Sequence, residues 1–162
     1  MVYAVVTPSV ANASRQALND IISAIFAAYI AANPTVVRKY WSEVPQSLTG
    51  EGPFVYQGAI DEAITHDQGT RQTVYTGSIG YVDVLADPEE TNTRENSFAD
   101  LVREWFTANA RISVGATGTG SVDAVLQQTA LVDGPTELVQ GASVRLTDVR
   151  ADFQMIVLEG RN

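Results

Sequence analysis

The chain has 162 residues, a mass of 17.4 kDa and a formal net charge of −9. Its length and its 45% hydrophobic content suit one domain, residues 1–162, that buries its own core, and they argue against disorder. The absence of cysteine excludes a disulfide framework and thiolate chemistry.

The acidic excess is concentrated in the middle third of the sequence. Residues 51–100 carry ten acidic side chains against two basic ones, Arg71 and Arg94. A surface of this sign repels phosphate backbones, so we do not expect a nucleic-acid-binding protein. The apolar N-terminus lacks the basic residues of a signal peptide, and no uncharged stretch is long enough for a transmembrane helix. We therefore expect no membrane association and a location in the cytosol.

The first predicted elements are a helix and a short strand. Between residues 14 and 32, apolar side chains recur at three- and four-residue steps, which is typical of an amphipathic helix. Proline disfavours helical geometry in the residue before it, so Asn33-Pro34 ends this helix. Residues 36–41, V-V-R-K-Y-W, are predicted to form a strand.

A long β-hairpin is predicted next. Residues 54–65 alternate between apolar and polar side chains, and residues 70–85 are rich in Thr, Val, Tyr and Ile, so both segments are typical of strands. Gly69 can supply the positive φ that a tight turn between them needs. The second strand would be about 50 Å long, and we expect Gly77 and Gly80 to mark a bulge or a sharp bend in it.

The second helix is predicted over residues 94–109. Its apolar stripe includes Trp105 and Phe106, which we expect to be largely buried against the sheet. The preceding residues 87–93, D-P-E-E-T-N-T, are predicted to form a loop whose acidic side chains favour the helix dipole.

The last third of the chain is predicted to be mostly strand. Strands are expected at residues 112–116, 138–147 and 149–158, the last with one face formed by Val149, Ala151, Phe153, Met155 and Val157. Residues 122–132 fit either a strand or a short helix, and we predict a strand, with Gly134-Pro135 turning the chain after it. The expected fold is α+β, a mostly antiparallel sheet with a long β-hairpin and two amphipathic helices packed on it.

The only histidine of the chain lies in the hairpin turn, in the sequence I-T-H-D-Q-G-T-R-Q. His66 beside Asp67 suggests a general base with an orienting carboxylate. However, adjacent strand residues point to opposite faces, and the chain has neither a G-x-S-x-G serine nor a cysteine nucleophile. We interpret the pair as part of a solvated turn and predict no catalytic residue.

No metal or cofactor site is predicted either. One histidine without cysteine does not make a common zinc site, and D-P-E-E lacks the ligand spacing of a calcium loop. The glycine-rich segment G-A-T-G-T-G, residues 115–120, lacks the lysine of a phosphate-binding loop and is interpreted as a flexible connection. The sequence therefore predicts a protein that is not an enzyme and has no cofactor.

Two stretches of the sequence resemble a known protein family. G-A-I-D-E-A-I-T-H-D-Q-G-T-R-Q-T-V-Y-T-G-S-I-G-Y-V-D, followed by D-P-E-E-T-N-T-R-E-N-S-F-A-D-L-V-R-E-W-F, resembles tail terminator proteins of long-tailed bacteriophages. The resemblance covers about residues 54–106 and centres on the H-D-x-G-T-R-Q hairpin and the helix after it. The strands in L-V-Q-G-A-S-V-R-L-T-D-V are a looser match, and residues 110–140 match no pattern of the family.

The resemblance implies a structural subunit of the virion neck. Such subunits assemble as a hexameric ring on the tail tube, stop its polymerisation and join it to the head-side connector or adaptor protein. The implied partners are further copies of the chain, the tube protein and the connector protein. DNA would pass through the ring without specific binding, and an acidic channel suits this because it offers no contacts to phosphates.

Two other kinds of function stay open. A different neck or tail-tube component, such as a head-completion or adaptor protein, would share the ring and differ in its neighbours. A small-ligand-binding α+β domain would instead use the concave side of the sheet as a pocket.

The hairpin, residues 56–85, is predicted to make the contact with the next subunit or with the tail tube, because two helices cannot cover strands of this length. The predicted interface comprises His66, Asp67, Gln68, Arg71, Tyr75, Ile79 and Tyr81. Its three apolar residues are expected to need cover from another chain. The polar residues of the tip would supply oriented hydrogen bonds, with an acidic group of the next subunit as the partner of Arg71.

Overall fold

The structure is a computed structural model that describes residues 10–40, 53–84, 88–116, 120–136 and 146–160. Some predicted elements extend beyond these ranges. Trp41, Leu85 and residues 138–145 of the predicted strands lie outside them, as do residues 117–119 of the predicted connection.

The described residues form two helices and seven strands. The helices are α1 (Val10–Ala32) and α2 (Pro88–Ala108), and the strands are β1 (Val37–Tyr40), β2 (Phe54–Gln57), β3 (Asp61–Asp67), β4 (Thr70–Val84), β5 (Arg111–Ala116), β6 (Gly120–Thr136) and β7 (Leu146–Gly160). All seven strands belong to one curled, mostly antiparallel sheet. The predicted α+β class, with its long hairpin and two packed helices, is confirmed.

The sheet runs in the order β1-β2-β4-β7-β6-β5, and β3 pairs with β4 beside this path. Only the β1–β2 pair is parallel among the described strands. Since β2 and β3 pair with different parts of β4, they lie one after the other along the same side of it. The long strands β4 and β7 form the centre of the sheet.

Helix α2 begins earlier than predicted. It starts at Pro88, so most of the segment predicted as a loop is helical. Proline is well suited to the first helical position, because the amide hydrogen that it lacks has no partner within the helix there. Glu89 and Glu90 follow in the first turn, where negative charge stabilises the helix dipole.

The predicted turn at Gly134-Pro135 is wrong. Strand β6 continues through both residues to Thr136, and they pair with Asp148 and Thr147 of β7. Pro135 is one residue from the end of the strand, where a missing ladder hydrogen bond is tolerated. The ambiguous segment before it is a strand, as predicted.

Both helices pack on one face of the sheet. Five alternating side chains of β7 are buried there, as their spacing predicted: Val149, Ala151, Phe153, Met155 and Val157. The helices cover them with apolar stripes that include Phe26 and Tyr29 of α1 and Phe98 and Phe106 of α2. Phe106 is buried and Trp105 is partly buried and packs against the same core, in line with the prediction that both are largely buried.

The two glycines of β4 make room for aromatic rings. Strand β4 keeps an unbroken register with β7, so the predicted bulge is not in β4 itself. The interruption in strand pairing lies in residues 58–60, which connect β2 and β3 along the other side of β4. A Cβ atom on Gly80 would lie 2.5 Å from the ring of Tyr56, and one on Gly77 would lie 2.9 Å from the ring of Phe153.

We expect the variant Gly80→Ala to lose about 1–3 kcal/mol of unfolding free energy, because the added methyl group overlaps a buried ring. Gly115→Ala is the matched control, since this strand glycine has no atom within 4 Å of the position of an added Cβ. The control should be neutral or slightly stabilising, because alanine restricts the unfolded chain. Urea denaturation measures the unfolding free energy of both variants. Equal unfolding midpoints would contradict the conclusion that Gly80 makes room for the ring of Tyr56.

Candidate functional site

The predicted hairpin forms, and its distal part is the candidate site. We call residues 61–76, in which β3 pairs with the first half of β4, the hairpin arm. Its turn consists of Gln68 and Gly69, and Gly69 has the predicted positive φ, 78°. The Oδ1 atom of Asp67 accepts a hydrogen bond of 2.6 Å from the amide of Gln68 and fixes the start of the turn.

Strand β3 has little cover on either face. Six of its seven residues are exposed, and only Glu62 is partly buried. The side chain of Ile64 is 53% exposed although it points to the same side of the sheet as the helices. An apolar side chain of this size in an uncovered strand makes β3 a candidate surface for contact with another chain.

Two ion pairs hold the arm against the rest of the molecule. Arg15 of α1 pairs with Glu62 of β3. Arg71 of β4 donates a hydrogen bond of 2.7 Å from Nε to the carboxylate of Glu159 in β7. The acidic partner of Arg71 is therefore in the same chain, and the expectation of a partner on the next subunit is wrong for this side chain.

The apolar part of the predicted interface is buried within the chain. Tyr75, Ile79 and Tyr81 are at most 1% exposed and belong to the core under α1 and α2. They need no cover from a second chain, which corrects their proposed role in a subunit contact. The sequence prediction failed because the covering helices are distant in sequence from the hairpin.

The two residues suggested as a general base and its orienting carboxylate lie on different faces of the tip. His66 and Asp67 are both exposed and, as neighbours in a strand, point to opposite faces of β3. Among the described residues, no group of three or more His, Asp or Glu side chains is placed to hold a metal ion. The tip presents hydrogen-bonding groups and the carboxylate of Asp67 at the surface.

A buried polar cluster links β4 to α2, and the sequence interpretation missed it. The Oδ2 atom of Asp83 accepts hydrogen bonds from the hydroxyl of Tyr81 at 2.6 Å and from Nε of Arg94 at 2.7 Å. The hydroxyl of Tyr29 donates to the carbonyl of Arg94 at 2.9 Å. The one available signal was that Arg94 is one of two basic residues in the acidic third.

Burial changes the protonation equilibria of this cluster. It raises the pKa of Tyr29 to about 12. Burial, together with the hydrogen bond to Asp83, also raises the pKa of Tyr81. Burial lowers the pKa of Arg94, but the hydrogen bond and charge of Asp83 outweigh this, so the guanidinium stays charged. The cluster is a neutral tyrosine pair beside a charged pair, which suits a structural role.

A small surface cleft of about 290 Å³ lies beside the end of α2. Its lining consists of Arg103, Phe106, Thr107, Ala110, Leu126, Gln127 and Gln128. Pockets for small molecules occupy roughly 300–1,000 Å³, so this cleft is at the lower limit. The helix-covered face of the sheet is filled by core side chains.

The ion pair of the arm gives a testable expectation. Arg71→Glu should loosen the arm, because it places a second carboxylate beside Glu159, and we expect a loss of about 1 kcal/mol or less, as for other partly exposed pairs. Hydrogen exchange of residues 61–76 should become faster in this variant. The charge-swapped variant Arg71→Glu/Glu159→Arg should restore the exchange rates. Faster exchange that the swap does not reverse would show that the pair does not hold the arm.

The chain matches none of the protein families and none of the curated protein sequences with which it was compared. Neither helix of the described part of the chain is apolar enough over a sufficient length to cross a membrane.

Proposed function

We propose that the chain is a structural subunit of a long-tailed bacteriophage virion, a tail terminator that assembles as a ring, with six copies as the expected number. The ring caps the tail tube, stops its polymerisation and joins it to the connector or adaptor protein on the head side. The proposal rests on the resemblance of residues 54–106, and it implies assembly in the host cytoplasm and a final place in the tail neck.

The observation that carries the proposal is the uncovered strand β3 on an anchored arm. Six of the seven residues of β3 are exposed, and the apolar side chain of Ile64 is among them. The ladder with β4 and the ion pair Arg15–Glu62 give this strand a fixed position before any partner arrives. A strand that is held in place and left uncovered is suited to assembly, because little ordering entropy is lost on binding.

The charge of the arm supports a channel for DNA rather than a DNA-binding surface. Asp61 and Asp67 are exposed on the face of β3 that points away from the helices. The one arginine of the arm, Arg71, is already engaged by Glu159. A ring with such surfaces near its channel offers few cations to phosphates and lets DNA slide through.

A second neck or tail-tube component with the same ring assembly is the main alternative. A small-ligand-binding domain is the alternative from another class, and the cleft beside α2 is the feature that would serve it. The two classes of function predict different masses in solution, since a ligand-binding domain functions as a monomer or dimer whereas a ring requires several copies.

Light scattering on the purified chain tests the ring. We expect a species of about 104 kDa, six copies of 17.4 kDa, and ring-shaped particles with a central channel in negative-stain images. A monomer at every concentration would contradict the proposal and leave the ligand-binding alternative.

A further inference from the structure

Three of the described strands, the four-residue β1 and the longer β3 and β5, have a strand neighbour on one side only. Among the described strands, β3 pairs only with β4 and β5 pairs only with β6. The two lie at opposite sides of the sheet, four strand spacings apart along its surface, which is roughly 19 Å. Unpaired strand edges bind other strands through their backbone groups, so the orientation of those groups decides which pairings are possible.

On β3, the outward backbone groups belong to residues whose side chains lie on the helix side. The two-residue turn closes on the hydrogen-bonded pair Asp67–Thr70, and hydrogen-bonded pairs recur at every second residue of an antiparallel ladder. The amide of Gly58, which donates to the carbonyl of Ser78 at 2.9 Å, fits the same alternation along β4. The outward amide and carbonyl groups of β3 are those of Glu62, Ile64 and His66.

On β5, the outward backbone groups belong to residues of the opposite face. The amide of Leu126 donates to the carbonyl of Ala110 at 3.0 Å, so the even-numbered residues of β5 bond to β6. The outward groups are those of Arg111, Ser113 and Gly115. Their side chains lie on the helix-free face, because Ile112 and Val114 share the helix side with the buried residues of β6 and β7.

This difference determines how β3 of one copy can pair with β5 of another. In an antiparallel pair, residues whose backbone groups point outward lie directly opposite each other, and their side chains are on the same face of the joint sheet. Because the outward residues of β3 and β5 have side chains on different faces, this pairing would put the helices of the two copies on opposite sides of the sheet. In a parallel pair, each outward-pointing residue lies opposite an inward-pointing one, and the helices of both copies stay on the same side. The strand directions agree, because β3, β7 and β5 all run the same way.

Charge selects the register. When Asp61 lies opposite Arg111, both strands start together and Ile64 lies opposite the buried side chain of Val114. Pairing two copies of β3 with each other would instead bring acidic strands together, since β3 carries Asp61, Glu62 and Asp67. Strand β5 has an arginine and no acidic residue.

We propose that the β3 edge of one copy pairs in parallel with the β5 edge of the next, with Asp61 beside Arg111, so that the sheet continues from subunit to subunit. The contact is head-to-tail and uses two different surfaces, an arrangement that forms a ring when the rotation between neighbouring copies closes the circle. This inference rests on the proposed ring function and adds its subunit interface.

Cysteine pairs test the register directly, because the natural chain has no cysteine. Ala63 and Ser113 are both exposed on the helix-free face and lie opposite each other in the proposed register. Neighbouring strands bring such Cα atoms to about 4.8 Å, within the range of a disulfide. Under mild oxidation, Ala63→Cys/Ser113→Cys should give a ladder of covalent multimers on non-reducing gels. The shifted pair Thr65→Cys/Ser113→Cys should react roughly tenfold more slowly, because its thiols are not held together.

The controls separate this inference from the ring itself. Native-chain rings seen by light scattering without a ladder from Ala63→Cys/Ser113→Cys would overturn the edge pairing and leave the ring proposal standing. Dimers formed equally well by Ala63→Cys alone would indicate pairing of β3 with itself and also overturn it. A native chain that is monomeric, with no ladder from either pair, would overturn both proposals.

Discussion

Replacing Arg94 with alanine is expected to cost about 3 kcal/mol of unfolding free energy, the largest loss that we expect from a single charge removal in the chain. Arg94 holds the carboxylate of Asp83, whose side chain is 5% exposed, through contacts of 2.7 Å. Without the guanidinium, Asp83 remains buried next to the hydroxyl of Tyr81 and lacks its positive partner. Urea denaturation measures the loss.

Two further variants show whether the buried charge is the cause. Arg103→Ala removes an arginine of the same helix whose side chain is 64% exposed, and it should change stability by less than about 0.5 kcal/mol. Adding Asp83→Asn to Arg94→Ala should recover part of the loss, since an amide needs no counter-ion. If Arg94→Ala and Arg103→Ala unfold at the same urea concentration, the polar cluster does not stabilise the fold as described.

Replacing Phe98 with alanine is expected to cost about 3–5 kcal/mol. Phe98 is fully buried at the junction of both helices and the sheet. The centroid of its ring is 5.2 Å from that of Tyr29 in α1 and 6.0 Å from that of Tyr81 in β4. Truncation leaves a cavity between three elements, and the rigid neighbouring rings limit how far the cavity can collapse.

The size of the cavity can be varied at the same position. Phe98→Leu keeps most of the side-chain volume and should cost clearly less than Phe98→Ala in the same denaturation experiment. Glu104→Ala, at an exposed position of α2, serves as the control for a general loss of helix stability. A loss below about 1 kcal/mol for Phe98→Ala would contradict the central position of this ring in the core.

The parts of the fold that could be predicted from sequence are those with local signals. Gly69 identified the turn because only glycine takes a positive φ without strain, and the alternation from Val149 to Val157 identified the buried face of β7. These patterns need no information about distant residues. The same holds for the apolar stripes of the two helices.

The parts that could not be predicted depend on contacts between distant segments. Pro88 and Pro135 are typical of a loop and a turn, but one starts a helix and the other lies near the end of a paired strand. Whether a missing amide hydrogen matters depends on a partner that the local sequence does not show. The hairpin residue Tyr75 was expected to need cover from another chain, and its own helices supply it.

The sequence predicts where the candidate site lies but not which residues form it. The sequence located an exposed hairpin tip that includes His66 and Asp67, and both are exposed. It did not identify β3 as the uncovered strand, because the burial of β4 depends on how α1 and α2 cross the sheet. Nor did it reveal that Arg71 pairs with Glu159, since these residues are brought together only by the register between β4 and β7.

The length of the tails in particles made without this chain tests the central claim most directly. Under the proposed function, a phage that lacks the chain should make tails of uncontrolled length that do not join heads, because nothing caps the growing tube. Supplying the native chain in trans should restore tails of uniform length joined to heads. Tails of normal length, joined to heads, in particles that lack the chain would contradict the proposed function.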